Sequence, residues 1–124
     1  MGATSKWLLK RELKKASTSP DETWPDARVD QLWEQFDQGT QRAILRLHRA
    51  TDEATLSDLR TRIRTLHQPA LILWGDRDPW FPASTAEGYA SALPGATVEH
   101  FKDAGHWPWL DDAEALERLA KAVE

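Results

Sequence analysis

Ala70-Leu71-Ile72-Leu73-Trp74-Gly75-Asp76-Arg77-Asp78-Pro79-Trp80-Phe81-Pro82 runs from an unbroken apolar stretch into a turn rich in Gly, Asp and Pro. Four to five apolar residues bounded by turn chemistry read as a strand covered on both faces, from about Ala70 to Trp74. A second β-prone run, Thr97-Val98-Glu99-His100-Phe101, leads into Ala104-Gly105-His106-Trp107-Pro108. Between them, Ser84 with Glu87 predicts a capping box for a helix to about Leu93, stopped by Pro94-Gly95. Strand–helix–strand order predicts parallel strands joined by a right-handed crossover. An acid loop and an imidazole turn then share the C-terminal edge of the sheet, the edge where open α/β sheets place chemistry.

The flanks are helical. Val29, Leu32, Trp33 and Phe36 form one stripe, with Pro25 suited to a first helical position. Gly39 can end that helix and Thr40 can cap the next, whose buried side is Ile44, Leu45 and Leu47. A third helix starts near Thr55, with Asp58 as a partial capping box and Leu56, Leu59 and Ile63 as its apolar positions. Asp111 and Asp112 are expected to cap a last helix striped by Leu116, Leu119, Ala120 and Val123. Ser17-Thr18-Ser19-Pro20-Asp21 reads as a linker. The expected class is α/β, with a helical segment over residues 1–65 and a β-α-β-α unit over 66–124.

Composition narrows the function. The 124 residues are 40% hydrophobic and 29% charged, with a net charge of -4, so nothing draws the whole chain to nucleic acid or anionic membrane. The absence of cysteine excludes disulfides, thiolate metal sites and cysteine nucleophiles, and fits a cytoplasmic protein. No run approaches the roughly 18 apolar residues of a membrane span, and Trp7-Leu8-Leu9 is too short for a signal-peptide core. Met1-Gly2 opens like a myristoylation motif, but Lys6 stands where Ser or Thr is needed. Lys6, Lys10, Arg11, Lys14 and Lys15 read as a solvated helix face or terminus, the other reading being a basic arm for an acidic partner. Seven Trp are expected mostly in core or pocket walls.

His106, in a Gly-His turn, is the candidate general base. Asp76 and Asp78 compete for the acid that would orient it. Asp76, next to Gly75, is placed to brace the turn, and Asp78 lies further along the loop toward the site. Trp80, Phe81, Trp107 and Trp109 flank the pair as a pocket wall or as loop packing. His48, His67 and His100 have no partner pattern and read as surface residues. Asp76, Asp78, Asp111 and Asp112 match no EF-hand spacing, so neither metal nor cofactor is expected.

These residues resemble the C-terminal part of the α/β-hydrolase fold. There the acid often lies in a Gly-x-x-Asp-x-x-x-Pro loop, matched by Gly75, Asp78 and Pro82, and the histidine in a Gly-His turn, matched by Gly105 and His106. The resemblance implies Asp78 as acid and His106 as base, and covers about Leu66 to Val123. The helical first half is similar to the end of the cap in epoxide hydrolases, haloalkane dehalogenases and esterases. The family's third residue is a nucleophile in an elbow such as G-x-S-x-G, which does not occur here. Ser5, Ser17, Ser19, Ser57, Ser84 and Ser91 all lie outside such a pattern. The chain is therefore expected to carry acid and base for hydrolysis of a small organic substrate, by a serine or an aspartate nucleophile, and to be inactive alone. Activity is expected only with a complementing N-terminal half; the alternative is a non-catalytic module that self-associates or binds a partner, because a two-stranded sheet leaves open edges.

Overall fold

The computed structural model describes residues 5–122, so the expectations at Met1-Gly2 and Val123 lie outside the described residues. In chain order the elements are α1 (Lys6–Lys15), α2 (Pro20–Thr23), α3 (Asp26–Gln35), α4 (Gln38–Ala50), α5 (Glu53–Ile63), β1 (Ala70–Gly75), α6 (Ser84–Ala92), β2 (Ala96–Phe101), α7 (Pro108–Asp111) and α8 (Ala113–Ala122).

β1 and β2 pair in parallel, from Ala70 opposite Ala96 to Gly75 opposite Phe101. The strand C-termini therefore end side by side. Close backbone approach continues beyond them. A Cβ on Gly75 would lie 1.9 Å from the Gly105 carbonyl oxygen, so only glycine fits where the two loops touch. Arg77 N–H donates to the Ala104 carbonyl at 3.0 Å, and Asp76 N–H to that of Phe101 at 3.0 Å. These bonds knit the acid loop to the histidine turn.

Two small cores form. Leu13, Trp24 and Val29 are buried together, with Leu9, Leu32 and Trp107 packed against them. Phe101, Ala104 and Ala115 make the second, with Leu73 at its edge. The first ties α1, α2 and α3 to the histidine turn through Trp107, and ion pairs line its outside. Lys6, Lys10 and Lys14, one turn apart, meet Asp30, Asp26 and Asp21 at 2.6, 2.6 and 2.5 Å. The basic stripe of α1 thus faces acids of its own chain.

Several local expectations are corrected. Asp37, not Thr40, caps α4, its carboxylate accepting from Thr40 N–H at 2.7 Å, and Gly39 lies inside the first turn. Pro25 stands just before α3 rather than in it. Ser84 makes no cap, because Thr85 N–H and Ala86 N–H already reach the carbonyls of Pro82 and Ala83. The 17–21 stretch is no free linker, since its end winds into α2 and its side chains are bonded. Ile44, Leu45 and Leu47 are exposed rather than buried, on a helix that has no buried residue. Leu56 and Leu59 on α5 and Leu116 on α8 are likewise exposed. β1 is half-buried along Ala70–Trp74 instead of covered on both faces. Trp7, at 67%, also remains exposed.

Candidate active site

Asp78 sits three residues beyond the end of β1, in the turn that Pro79 and Pro82 stiffen. Its carboxylate is almost wholly enclosed, with 5% of the side chain exposed. Oδ1 accepts the N–H groups of Trp80 at 2.8 Å and Phe81 at 3.2 Å. Oδ2 lies 2.7 Å from His106 Nδ1. A buried carboxylate needs such partners, since an unpaired one is costly. The loop supplies two from its own backbone and leaves the third place to the imidazole. An ionised carboxylate only accepts, so Nδ1 carries the proton of this bond and the neutral ring has a bare Nε2.

His106 is held by both backbone and ring. Its N–H donates to the Ala16 carbonyl at the end of α1 at 2.8 Å. The ring is 29% exposed and lies in an aromatic cage. Trp80 and Trp107 present edges at 4.6 and 5.0 Å between centroids, and Phe81 stands tilted at 6.0 Å. Trp24, in the core beneath, meets Trp107 edge-on at 4.9 Å. Among the described residues Nε2 has no hydrogen-bond partner. The arrangement can take a proton at Nε2 and hold the resulting imidazolium against Asp78.

Of the two competing acids, Asp78 reaches His106 and Asp76 does not. Asp76 Oδ1 lies 2.6 Å from His100 Nδ1, and Glu87 Oε1 of α6 is 3.1 Å from the Nε2 of the same ring. His100 is therefore no lone surface histidine. The hydrogen bond to Asp76, then that to Glu87, raises its pKa above the usual 6.5. Trp80, Phe81 and Trp107 gather around His106, whereas Trp109 lines an apolar groove over the sheet with Leu71, Leu73 and Leu119. A separate cleft of about 500 Å³ between α5 and α6 involves Leu56, Ile63 and Tyr89 and neither Asp78 nor His106. Among the described residues no group of three or more His, Cys, Asp or Glu is placed to hold a metal ion.

Asp112 caps α8, accepting from Glu114 N–H at 2.8 Å and Ala115 N–H at 3.2 Å. Asp111 does not share that role. It receives Thr23 Oγ1 at 2.9 Å, Thr18 N–H at 3.1 Å, Gly105 N–H at 2.8 Å and the hydroxyl of Ser17. Burial pushes its pKa up, but the bonds from Ser17, Gly105, Thr18 and Thr23 together outweigh this and hold it below the ordinary carboxylate value. The supports from Ala16, Ser17, Thr18 and Thr23 lie some ninety residues from the turn they brace, and only the density of hydroxyl donors in 17–19 hints at them.

A strand-end acid bonded to a Gly-His turn across a parallel βαβ unit defines a class, and comparison agrees. The model of the alpha/beta hydrolase fold matches residues 3–113, and the chain belongs to that family. It is 27% identical over 70 residues to a 2-hydroxy-6-oxononadienedioate/2-hydroxy-6-oxononatrienedioate hydrolase of Pseudomonas putida, covering 56% of this chain and 24% of that protein. It is 38% identical over 60 residues to the dihydrolipoyllysine-residue acetyltransferase component of an acetoin cleaving system from Cupriavidus necator, covering 48% of this chain and 15% of the relative. A serine hydrolase from the polyaromatic hydrocarbon-degrading Cycloclasticus zankles superposes with a TM-score of 0.74 at 16% identity, over 94% of this chain and 44% of its own. The described architecture is thus a partial α/β-hydrolase fold, and the chain spans about a quarter or less of these curated relatives. Among the described residues no helix is long and apolar enough to cross a membrane.

Proposed function

We propose that this chain supplies the acid–base half of a hydrolytic site, with Asp78 as the acid and His106 as the base. The observation that carries the reading is the 2.7 Å Asp78–His106 bond, made by a carboxylate whose other oxygen is already fixed by two backbone N–H groups. His106 takes the proton of the attacking group at Nε2, and Asp78 stabilises the charge that forms. The nucleophile and oxyanion donors come from residues outside those described. With a serine nucleophile, Nε2 accepts the hydroxyl proton, returns it to the leaving group, and then deprotonates water to release the acyl group. With an aspartate nucleophile, an ester forms on the enzyme and His106 activates the water that cleaves it.

Trp80, Phe81 and Trp107 form the wall for a small organic substrate, such as an ester, an epoxide or a dienedioate of the kind named for the Pseudomonas relative. Residues 1–65 act as a cap-like segment and 66–124 as part of the core. The test supplies the chain with the part of the Pseudomonas hydrolase that precedes its matched segment, and follows turnover of that enzyme's substrate. Turnover should appear, and His106→Ala should lower it about 100-fold or more. No turnover with any complementing half would sink the reading.

A second reading rests on surface. The chain exposes 8934 Å², against about 6,700 Å² for a compact monomer of this mass. The open groove over the sheet then serves to associate copies of the chain or to bind a partner, without catalysis. Association measured by sedimentation should on that reading be indifferent to His106→Ala.

A further inference from the structure

Asp111 stands five residues past His106, at the end of α7. Its carboxylate collects four donors from separate parts of the chain. Oδ2 faces backbone, accepting from Gly105 and Thr18, and Oδ1 faces the hydroxyls of Thr23 and Ser17. Helix capping needs none of this, because Asp112 caps α8 alone.

Gly105 is gripped from its other side as well. A Cβ there would lie 2.2 Å from the Ala16 carbonyl oxygen and 3.1 Å from Asp111 Oδ2. The next amide, that of His106, donates to the same Ala16 carbonyl. Two consecutive N–H groups are thus anchored, the first by Asp111 and the second by Ala16. With the peptide fixed, the imidazole keeps only its side-chain rotations, and the bond to Asp78 selects among them.

We propose that Asp111 is a positioning residue for His106, setting the Gly105 peptide so that Nδ1 meets Asp78 and Nε2 faces away from it. The inference rests on the reading of Asp78 and His106 as an acid–base pair. It requires an acceptor toward Gly105 and Thr18 but no negative charge. Asparagine satisfies it, with its carbonyl toward the two backbone donors and its amide toward hydroxyls that rotate to accept. Alanine removes all four bonds.

The experiment reads the ring itself. The full chain is labelled with ¹⁵N-histidine, His106 is assigned by loss of its signals in His106→Gln, and the tautomer is read from the two ring nitrogens at a pH where the ring is neutral. The wild type should hold the Nδ1–H form. Asp111→Ala, shown folded by circular dichroism, should lower the Nδ1–H to Nε2–H ratio about tenfold, and Asp111→Asn should restore it. A folded Asp111→Ala chain with the wild-type ratio would overturn the proposal, as would Asp111→Asn behaving like alanine. If Asp111→Ala does not fold, the double variant Ser17→Ala/Thr23→Val removes the two hydroxyls that hold the carboxylate aimed at Gly105 and should lower the ratio in the same direction, an unchanged ratio again being fatal. Asp78→Asn separates the two readings. If it leaves the ratio untouched, the acid–base pair itself fails; if it shifts the ratio while Asp111→Ala does not, only the positioning role fails.

Discussion

His100 lies between two carboxylates, Asp76 on one ring nitrogen and Glu87 on the other. Ionised carboxylates only accept, so the protonated ring, with a donor on each nitrogen, suits this arrangement best. Its folded pKa lies above the ordinary 6.5. The stabilisation is therefore whole below about pH 6.5 and fades as pH rises through the folded value. Urea unfolding midpoints should fall as pH rises above about 6.5, and His100→Gln should flatten that slope. Asp111 carries the opposite sign. Its lowered pKa stabilises the fold above the ordinary carboxylate range and is lost as pH falls through the folded value. Asp111→Asn should thus reduce the loss of stability in acid. Glycine supplies a third test at this scale. Gly105→Ala drives a methyl into the Ala16 carbonyl, which is backbone and cannot turn aside. Thermal unfolding should register a cost of about 3 kcal/mol.

The elements differ sharply in what holds them. α3 is anchored by fully buried Val29, whereas α4 has no buried residue and Leu47 is 68% exposed. Val29→Ala should cost about 2 kcal/mol, and Leu47→Ala should stay within about 0.5 kcal/mol, both read from chemical denaturation. This contrast marks where sequence reasoning reached and stopped. The parallel pair β1–β2 and the loops after it were legible, because β-prone runs followed by the Gly75–Pro79 turn and the Gly105-His106 turn carry their own boundary chemistry. The stripes on α4 and α5 showed which face is apolar but not whether anything covers it. Asp78 stood out from Asp76 by its place in the loop. The pairing of Asp76 with His100 did not, since it depends on strand register and on a helix crossing that spacing does not encode. Asp111 looked like a cap because caps are local, while its partners at 17, 18 and 23 are joined to it only by tertiary folding.

At the scale of the molecule, two modest cores support an unusually large surface. An apolar groove runs along β1, and Tyr89 and Trp109 are its exposed lining residues. If association uses that groove, sedimentation of the chain should depend on concentration, and Trp109→Lys should weaken the dependence while leaving the unfolding midpoint nearly unchanged. The long reach of residues 17–23 to Asp111 has a kinetic side. Pairing β1 with β2 closes a separation of 26 positions, as Ala70 to Ala96 shows. Joining Ser17 to Asp111 closes 94, at an added chain-entropy cost of about 1 kcal/mol. Contacts between near neighbours form first and distant ones follow. The strands and α6 should accordingly assemble as an early unit, and the buttress beneath His106 should dock last and open first. Amide exchange at Gly105 and His106 should then outpace exchange at Ile72 and Val98. A histidine whose footing is the last part to set would be the first to lose its aim when the protein is warmed, well before the sheet gives way.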